Sequence, residues 1–564
     1  MDEFLQRCKT DLKRIWALLC CIILLVSSLA GCGTPKNANK NIRVWLTEEP
    51  STLDPQVAQG SGAATVISAL YEGLCRLDAN GKAVPGAAES WQADSTNTEF
   101  TFHLRSNAVW NGNVKALTGE NTKDTTPTPL TASDFVFAWQ RALEPATASP
   151  SCTSMMCIEN AAQIHTGSLS ADNLGVTAKD SHTLVVHLRY SCPEFPQLTA
   201  QSVFMPCNQA FFTYASGRYG MDRATILGNG PFSIPNYGWN HDQDLALKRT
   251  DTYVGRTAAL PASIAFTIGD IPASDTSSSA VSAAADTGSA ASTTLNAVQA
   301  LTGNKLEIAS LDLSLESTAK KAGMTVTSFQ DTTCGLCFHT GGTFQSAALR
   351  RAFVQTLNRS ALMKLIPTGT SQAEGILPLD MQFGGKTYRT QAGSMYLQQS
   401  SAAAAQGRSL LPNGKKITLL CTDQTKALAS EMLACWNQAF QTYFSLHSVS
   451  EANLLSSVSS GNYDMAIYPY TPTSFDACTA LSAFQSNQSG NFTQLKDSSY
   501  DQLLQSTGIS AATLAQAEKY LSENAVFYPL YSTRHDYAAL PSVTGVVYRP
   551  FGGGLDLCDA GIND

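Results

Sequence analysis

The clearest candidates for chemistry in this sequence are its cysteines, of which there are fifteen. Outside the N-terminal segment the closest pair is Cys334 and Cys337, which has the CxxC spacing used by zinc sites and thiol–disulfide centres. There is no second CxxC and no matching pair of histidines. A redox centre of this kind also needs a helix that starts at the motif, whereas residues 333–338 predict a buried strand. We therefore expect both cysteines to be small buried apolar side chains and predict no metal site.

Catalytic patterns are missing from the sequence. The eight histidines are scattered, and there is no HExxH, GxSxG or P-loop motif. The tripeptide at residues 229–231 predicts a turn rather than a phosphate cradle. Enzyme is therefore the weaker class of function, and we expect no cofactor.

The N-terminus predicts export and a lipid anchor. A net-positive start precedes an apolar run at residues 15–26, which is too short to span a bilayer comfortably. The sequence LAGC at residues 29–32 then resembles a bacterial lipobox, in which the thiol of Cys32 receives a diacylglycerol. Residues 1–31 would be a lipoprotein signal peptide and residues 32–41 a tether. The lipid would anchor the mature protein to the outer face of the bacterial cell membrane. The alternatives are an ordinary cleaved signal or an uncleaved signal anchor.

The charge of the chain argues against nucleic-acid binding. Without residues 1–31 it carries 33 Lys and Arg and 42 Asp and Glu, a net charge of −9, with no basic tract. About 530 mature residues exceed one ordinary domain, so we expect two or three lobes. Eleven cysteines remain after the signal and Cys32, an odd number that leaves at least one free thiol.

Hydrophobic periodicity predicts a mixed α and β chain. Strands are expected at residues 43–46, 100–104, 182–188 and 244–249. Helices are expected where apolar residues recur at i+4: after a cap at Thr131 or Ser133, around residues 349–357, and at 428–440. Residues 115–129 predict an exposed loop. In residues 273–294, eighteen of 22 positions are Ala, Ser or Thr, so this segment cannot bury much apolar surface.

Short segments in a fixed order carry a family resemblance. They are PSTLDP (50–55), YEGL (71–74), VPGAAESW (84–91), FTFHLR (100–105), AVWNG (108–112), TASDFVFAWQRALEP (131–145), LGV (174–176), TLVV (183–186), NGPF (229–232), LRRAF (349–353), LNR (357–359), NF (491–492) and FYPLY (527–531). Over residues 43–540 this order resembles the oligopeptide- and dipeptide-binding proteins of ABC importers, called solute-binding family 5.

The resemblance implies an α/β, two-lobed periplasmic-binding-protein-like (type II) fold with an extra domain on lobe one. Lobe I would cover residues 42–270, including an extra subdomain at about 72–195. A low-complexity insertion would follow at 271–297, then lobe II at 298–510 and a return to lobe I at 511–564. The implied function is to capture peptides or peptide-like solutes in the interlobe cleft and deliver them, as a monomer, to an ABC permease. A surface receptor or chaperone-like interaction protein that keeps the fold without transport is the alternative.

The resemblance also implies ligand contacts. The matching positions are Gln59, Gly60, Ser61, Ser154, Asn229, Gly230, Pro231, Phe232, Tyr468, Tyr470 and Thr471. Family members place an Asp before the PTSF-like sequence, where it pairs with the ligand's α-ammonium group. This loop is shorter here, and no acidic residue lies between Asp464 and Asp476. Either the ligand lacks a free α-amine, or another carboxylate takes the role, or the loop is aligned differently.

Overall fold

The structure is a computed structural model that describes residues 40–120, 123–255, 261–271, 295–412, 414–486, 488, 490–505 and 509–563. The predicted signal peptide, Cys32, most of the tether and most of the Ala/Ser/Thr-rich insertion lie outside the described residues, so these remain predictions.

One twelve-stranded mixed sheet runs through the molecule. Its main path has the order β18-β17-β19-β13-β20-β12-β1-β11-β10-β8, with β14 paired to β20 and β9 paired to β10. Its strands are β1 (Asn41–Leu46), β8 (Phe232–Ser233), β9 (Trp239–Asn240), β10 (Asp244–Arg249), β11 (Ser263–Ile268), β12 (Ile308–Leu311), β13 (Thr325–Phe338), β14 (Ser371–Gln372), β17 (Thr418–Cys421), β18 (Ser445–Ser448), β19 (Met465–Tyr470) and β20 (Phe527–Ala539).

Two long strands connect the halves of this sheet. The first part of β13 pairs with the last part of β20, beside β12, in the first lobe. The last part of β13 pairs with β19 and with the first part of β20 in the second lobe. The register shifts between Phe329 and Thr332, where β13 passes from one half to the other. Such a shift bends the strand locally, and we infer that the hinge between the lobes lies where β13 crosses between the two halves.

An extra domain on the first lobe is built on a separate four-stranded antiparallel sheet. Its strands, in the order β4-β5-β7-β6, are β4 (Ala88–Ala93), β5 (Glu99–Leu104), β6 (Val176–Ala178) and β7 (Thr183–His187). Phe100 and Phe102 alternate along β5 towards a buried aromatic cluster that includes Trp139 and Phe195. The short two-stranded pairs elsewhere are β2 (Cys75–Leu77) with β3 (Ala83–Pro85), β15 (Gln382–Phe383) with β16 (Lys386–Thr387), β21 (Val543–Thr544) with β24 (Gly561–Ile562), and β22 (Val547–Arg549) with β23 (Gly554–Asp556).

Helices cover both lobes. They are α1 (Gly60–Leu70), α2 (Val114–Leu117), α3 (Ala132–Leu143), α4 (Ala161–His165), α5 (Phe195–Leu198), α6 (Gln209–Ala215), α7 (Ala297–Thr302), α8 (Glu316–Lys321), α9 (Ala347–Gln355), α10 (Arg359–Leu362), α11 (Tyr388–Ala392), α12 (Ala403–Leu410), α13 (Lys426–Phe440), α14 (Glu451–Ser459), α15 (Ala477–Ser482), α16 (Ser498–Gln505) and α17 (Ala511–Glu523). Thr131, one of the two caps that the sequence offered, begins α3 in a capping box with Asp134. In the second lobe Trp436 of α13 packs on Phe353 of α9, and its indole N–H donates to the Phe353 carbonyl at 2.8 Å.

Most of the predicted elements are confirmed, with one correction. The four predicted strands correspond to β1, β5, β7 and β10, and the three helices to α3, α9 and α13. The region predicted as a loop at 115–129 begins inside a short helix, α2, because Asn113 accepts a hydrogen bond from the Ala116 N–H and caps it. The lobe boundaries at residues 270, 298 and 511 stay predictions. Within the range predicted for lobe II, β12 pairs with β1 and β20, on the first-lobe side of the sheet.

The CxxC pair lies on β13 as an ordinary part of the core. Cys334 packs in the second-lobe cluster with Trp436, whereas Cys337 packs in the larger cluster that extends into the first lobe. An odd spacing along a strand places two side chains on opposite faces, so the two thiols do not meet. Burial raises the pKa of each thiol to about 12, which keeps both protonated and unreactive.

Candidate functional site

A buried ion pair fixes the segment that leads into the interlobe region from the first lobe. The guanidinium of Arg141, on α3, donates to both carboxylate oxygens of Asp54 at 2.6 and 2.8 Å, and also to Gln56. Ser149 donates to the Gln56 carbonyl at 2.5 Å. The extra domain therefore holds the chain just before α1, where three of the predicted contacts lie.

Gln59, Gly60 and Ser61 stand at the exposed N-terminal end of α1. Gln59 is the N-cap residue but makes no capping bond with its side chain, so its amide is available. Ser61 lies near the hydroxyl of Tyr537 in β20, whose pKa is raised chiefly by burial. A ligand contact at these positions remains a prediction.

The segment Asn229, Gly230, Pro231 and Phe232 lies at the other end of α1. The Asn229 side chain accepts from the Glu72 N–H and donates to the Glu72 carbonyl, at 3.0 and 2.9 Å. A Cβ on Gly230 would lie 2.6 Å from the carbonyl carbon of Leu70, so this glycine permits a close backbone approach. The carbonyl of Pro231 accepts from the Thr250 N–H, and Phe232 is buried in β8. Because α1 has 11 residues, about 16 Å of helix separates this segment from Ser61, and its polar groups are already used within the first lobe.

In the second lobe, Tyr468 and Tyr470 lie on a strand edge that is only partly paired. On one side β19 pairs with β13 along its whole length, whereas on the other β17 pairs only with Met465 and Ala466. Among the described residues, the backbone of β19 beyond Ala466 has no strand neighbour on that side. Pro469 fits this arrangement, because its missing N–H costs no ladder bond where no strand follows.

The side chains on this edge are fixed by aromatic and hydroxyl contacts. Tyr468 stacks on Phe492 with ring centroids 4.6 Å apart. The Tyr470 hydroxyl donates to the Ala480 carbonyl at 2.7 Å, so this ring is part of the core. The hydroxyls of Thr471 and Thr332 are 2.6 Å apart, which ties the end of β19 to the hinge region of β13.

The two lobes touch each other directly. The hydroxyls of Thr153, in the extra domain, and Thr473 are 3.3 Å apart. The Gln201 amide donates to Ser474 at 3.2 Å. The lobes are therefore in a closed arrangement, with the extra domain against the loop that follows β19.

Two buried carboxylates at this interface were not recognised from the sequence. Glu194, in the extra domain, accepts a hydrogen bond from the Gly384 N–H of the second lobe at 2.9 Å. Asp476 caps α15 by accepting from the Thr479 N–H at 2.7 Å. Burial and then the charge of Asp476 raise the pKa of Glu194 to about 7. Burial likewise raises the pKa of Asp476. In the sequence Asp476 is an ordinary helix cap and Glu194 an isolated acid, so neither carries a distinguishing pattern.

Ser154 lies at the same interface. It is fully buried on the helical turn Cys152–Met155, which packs against α15, and its hydroxyl has no hydrogen-bond partner in the described structure. The predicted position of Ser154 is therefore close to the interlobe contact, while Asn229 to Phe232 are not.

The hinge itself contains a buried carboxylate. Asp331, in β13, accepts from the Phe551 N–H at 2.9 Å and lies 2.6 Å from Nδ1 of His535 in β20. The hydrogen bond to Asp331 raises the pKa of His535. These contacts join both hinge strands to the C-terminal segment.

That C-terminal segment is held on the first lobe by a buried ionic network. Arg76 donates to Asp556 at 2.5 Å, and Arg549 donates to the second oxygen of Asp556 at 2.7 Å. The two guanidinium groups offset the burial of Asp556 and keep its pKa well below the usual range. The β22–β23 pair is thereby fixed against α1.

Metal-binding and membrane-spanning features are missing from the part of the chain that the structure describes. No three His, Cys, Asp or Glu side chains there are placed to hold a metal ion. No helix there combines the length and hydropathy that crossing a membrane requires.

The fold has two closed lobes, an extra domain and two strands that cross between the lobes. The second lobe also has a partly unpaired strand edge. Together these features are the architecture of an extracytoplasmic binding protein. The model of the bacterial extracellular solute-binding proteins, family 5, matches residues 82–492. The chain belongs to this family, which consists of binding proteins that work outside the cytoplasm.

Comparison with known proteins confirms the predicted type II fold. The chain is 26% identical to the periplasmic murein peptide-binding protein MppA of Escherichia coli over 95% of this chain and 96% of MppA. It superposes on Haemophilus influenzae OppA in complex with the peptide RPPGFSPFR with a TM-score of 0.72 and 23% identity, covering 93% and 99% of the two chains. On the unliganded open form of MppA the TM-score is 0.58, at 24% identity and with 94% and 99% covered.

Proposed function

We propose that this protein is the substrate-binding subunit of an ABC importer, which captures peptides or peptide-like solutes between its lobes and delivers them to a membrane permease. The observation that carries the proposal is the edge of β19 beyond Ala466, which has no strand neighbour on the side away from β13. An extended peptide can add to such an edge through its own backbone N–H and C=O groups.

The position of this edge supports capture by lobe closure. It leads directly to Thr473 and Ser474, which contact Thr153 and Gln201 of the opposite lobe. A ligand on the edge would thus be enclosed when the lobes meet, and exclusion of water would strengthen its polar contacts. Main-chain recognition depends little on side-chain identity, so we expect several peptide sequences to bind.

The anchor and the assembly belong to the same proposal. Residues 1–31 would be removed and Cys32 would carry the lipid that holds the protein on the outer face of the membrane. The mature protein would act as a monomer and present its closed form to the permease.

The proposal is tested by mass spectrometry of the small molecules that co-purify with the full mature protein. The protein is purified without denaturant and then unfolded in acid, and the released material is sequenced. Short peptides at near one per protein molecule are the expected result.

The released peptides must also rebind. Refolded protein should bind these peptides again, and the binding should saturate. An unrelated protein purified under the same conditions should not bind them. If the protein releases no peptide and binds none from a random library, the proposal that it transports peptides is wrong. A receptor or chaperone-like role would then be the better account, and capture of a folded partner would be tested instead.

A further inference from the structure

Pro469 lies near the end of β19, on the strand edge that is proposed to bind the ligand. In an antiparallel pair, successive residues direct their backbone N–H and C=O groups alternately to one side and to the other. The His339 N–H donates to the Asp464 carbonyl at 3.1 Å, and this contact continues the register in which β19 pairs with β13. Asp464 therefore faces β13, and the even-numbered residues of β19 do the same.

The odd-numbered residues of β19 face the other side, where β17 accompanies only the start of the strand. Leu420 of β17 stands opposite Ala466 in a parallel register. In a parallel pair of this kind the Leu420 carbonyl accepts the N–H of Ile467, the residue after Ala466. The next N–H that could face β19, from Thr422, donates to the Thr425 hydroxyl at 3.1 Å instead. Pairing with β17 thus ends at the Ile467 N–H.

The remaining edge offers acceptors and no donor. Its groups are the carbonyls of Ile467 and Pro469, because the Ile467 N–H is already bonded and Pro469 has none. No backbone N–H in the described parts of the chain donates to either carbonyl. The two carbonyls belong to residues two apart on one edge, a spacing of about 7 Å. Backbone N–H groups on one side of an extended ligand have the same spacing, so two of them can bind here at once.

We infer that Pro469 is a specificity-determining residue, because it makes this edge select ligands by their N–H groups and not by their carbonyls. The inference rests on the proposed function and adds a feature to it. A complete strand edge would donate an N–H at position 469 to one ligand carbonyl, whichever direction the ligand runs. Here that carbonyl has no donor on β19, and a polar group enclosed without a partner weakens binding. The favoured ligands are therefore peptide-like solutes with backbone N–H groups at the strand spacing and a weak or missing acceptor at this one position.

Random tetrapeptides with one altered backbone unit test the inference. The first version of the library contains only amides. In the second version an ester replaces one amide, which removes an N–H donor. In the third version a thioamide replaces one amide, which weakens the acceptor and keeps the donor. The full mature protein, stripped of ligand, is mixed with all three versions, and the bound molecules are counted by mass spectrometry for each altered unit.

The ester series reports on the two carbonyls of the edge. We expect an ester to reduce capture about fivefold to tenfold at two units, those whose N–H groups face Ile467 and Pro469. These two units should be two residues apart in the ligand, because the carbonyls are two residues apart in β19. The thioamide series should show no loss at the unit whose acceptor faces Pro469.

A variant that restores the missing donor reports on Pro469 itself. Pro469→Ala adds an N–H to the free edge, where no ladder bond of the fold depends on the ring. It should capture all-amide tetrapeptides about fivefold to tenfold better than the wild type does. One further unit should also become sensitive to a thioamide. Pro541→Ala, which changes an exposed proline in the turn after β20, should bind like the wild type.

The outcomes separate this inference from the proposed function. If an ester lowers capture at no unit, the ligand does not use the carbonyls of the edge, and the inference is wrong while peptide binding stands. Equal capture of all-amide peptides by the wild type and Pro469→Ala, without a new thioamide-sensitive unit, also overturns the inference. Capture of no tetrapeptide in any version overturns the proposed function and the inference with it.

Discussion

The most direct test of the fold's energetics is removal of the Glu518 carboxylate. Glu518 lies on α17 and is fully buried, and it accepts hydrogen bonds from the N–H groups of Ile376 and Leu377 at 2.8 and 3.1 Å. It also accepts from the Tyr388 hydroxyl at 2.9 Å and from the Arg389 guanidinium at 2.7 Å. This one side chain therefore holds the turn before β15 and the helix after it.

Glu518→Ala would leave the Arg389 charge buried without a counter-ion. Breaking such a pair from one side costs about 3–5 kcal/mol, a large part of the roughly 5–15 kcal/mol that stabilises a typical protein. For a protein of a few hundred residues, each kcal/mol of lost unfolding free energy lowers the melting temperature by roughly 2–4 °C. We therefore expect the melting temperature to fall by about 6–20 °C in circular dichroism.

A control on the same helix makes the result decisive. Glu523 pairs with Lys519 at 3.7 Å, and both side chains are mostly exposed, so Glu523→Ala should change stability by less than about 1 kcal/mol. The double variant Glu518→Leu with Arg389→Met should recover only part of the loss, because the Ile376 and Leu377 N–H groups still lack an acceptor. If Glu518→Ala melts within 2 °C or so of Glu523→Ala, the buried network contributes far less than this reasoning requires.

Three further predictions follow from individual contacts. Gly335→Val should destabilise by more than about 1 kcal/mol in urea unfolding, because a Cβ there would lie 2.4 Å from the Phe527 ring in the adjacent strand; an unchanged midpoint would show that the strands separate easily. Arg141→Met should cost about 3–5 kcal/mol by leaving Asp54 buried without its cation, whereas loss of the exposed Arg218 side chain should be nearly silent in the same assay. The raised folded-state pKa of Glu194, about 7 against 4.5 unfolded, adds stability that is complete below about pH 4.5 and is lost as the pH rises through about 7. In ligand-free protein the melting temperature should therefore fall more between these limits than it does in Glu194→Gln, and parallel curves would contradict the assignment.

Local patterns predicted the elements of this fold because their causes lie close together in the chain. The Thr131 capping box needs only a partner three residues away, and the alternation of Phe100 and Phe102 needs only a strand with one buried face. The burial of Cys334 and Cys337 was predictable for the same reason. That their side chains lie on opposite faces follows only once this segment is known to be a strand. The short helix α2 was missed because its cap, Asn113, also suits a loop.

The candidate site was predicted only in part. The family pattern named Tyr468 and Thr471 as ligand contacts, which stays a prediction, and it also revealed that the expected acid was missing from that loop. It could not reveal Glu194 and Asp476 as neighbours, since 282 residues separate them and neither lies in a distinctive motif. Their approach depends on lobe closure and on the contact between Gly384 and Glu194.

By itself, the sequence determined the family and the mixed α and β elements, while the signal peptide at residues 1–31 and the lipid on Cys32 stay predictions. Each of these is written in short segments whose residue types act locally or match in order. Only the tertiary structure decided which strand edge is unpaired, where the hinge bends, and which buried carboxylates face each other. Those features arise from contacts between distant segments, and their energies depend on burial and on partners that no local pattern specifies.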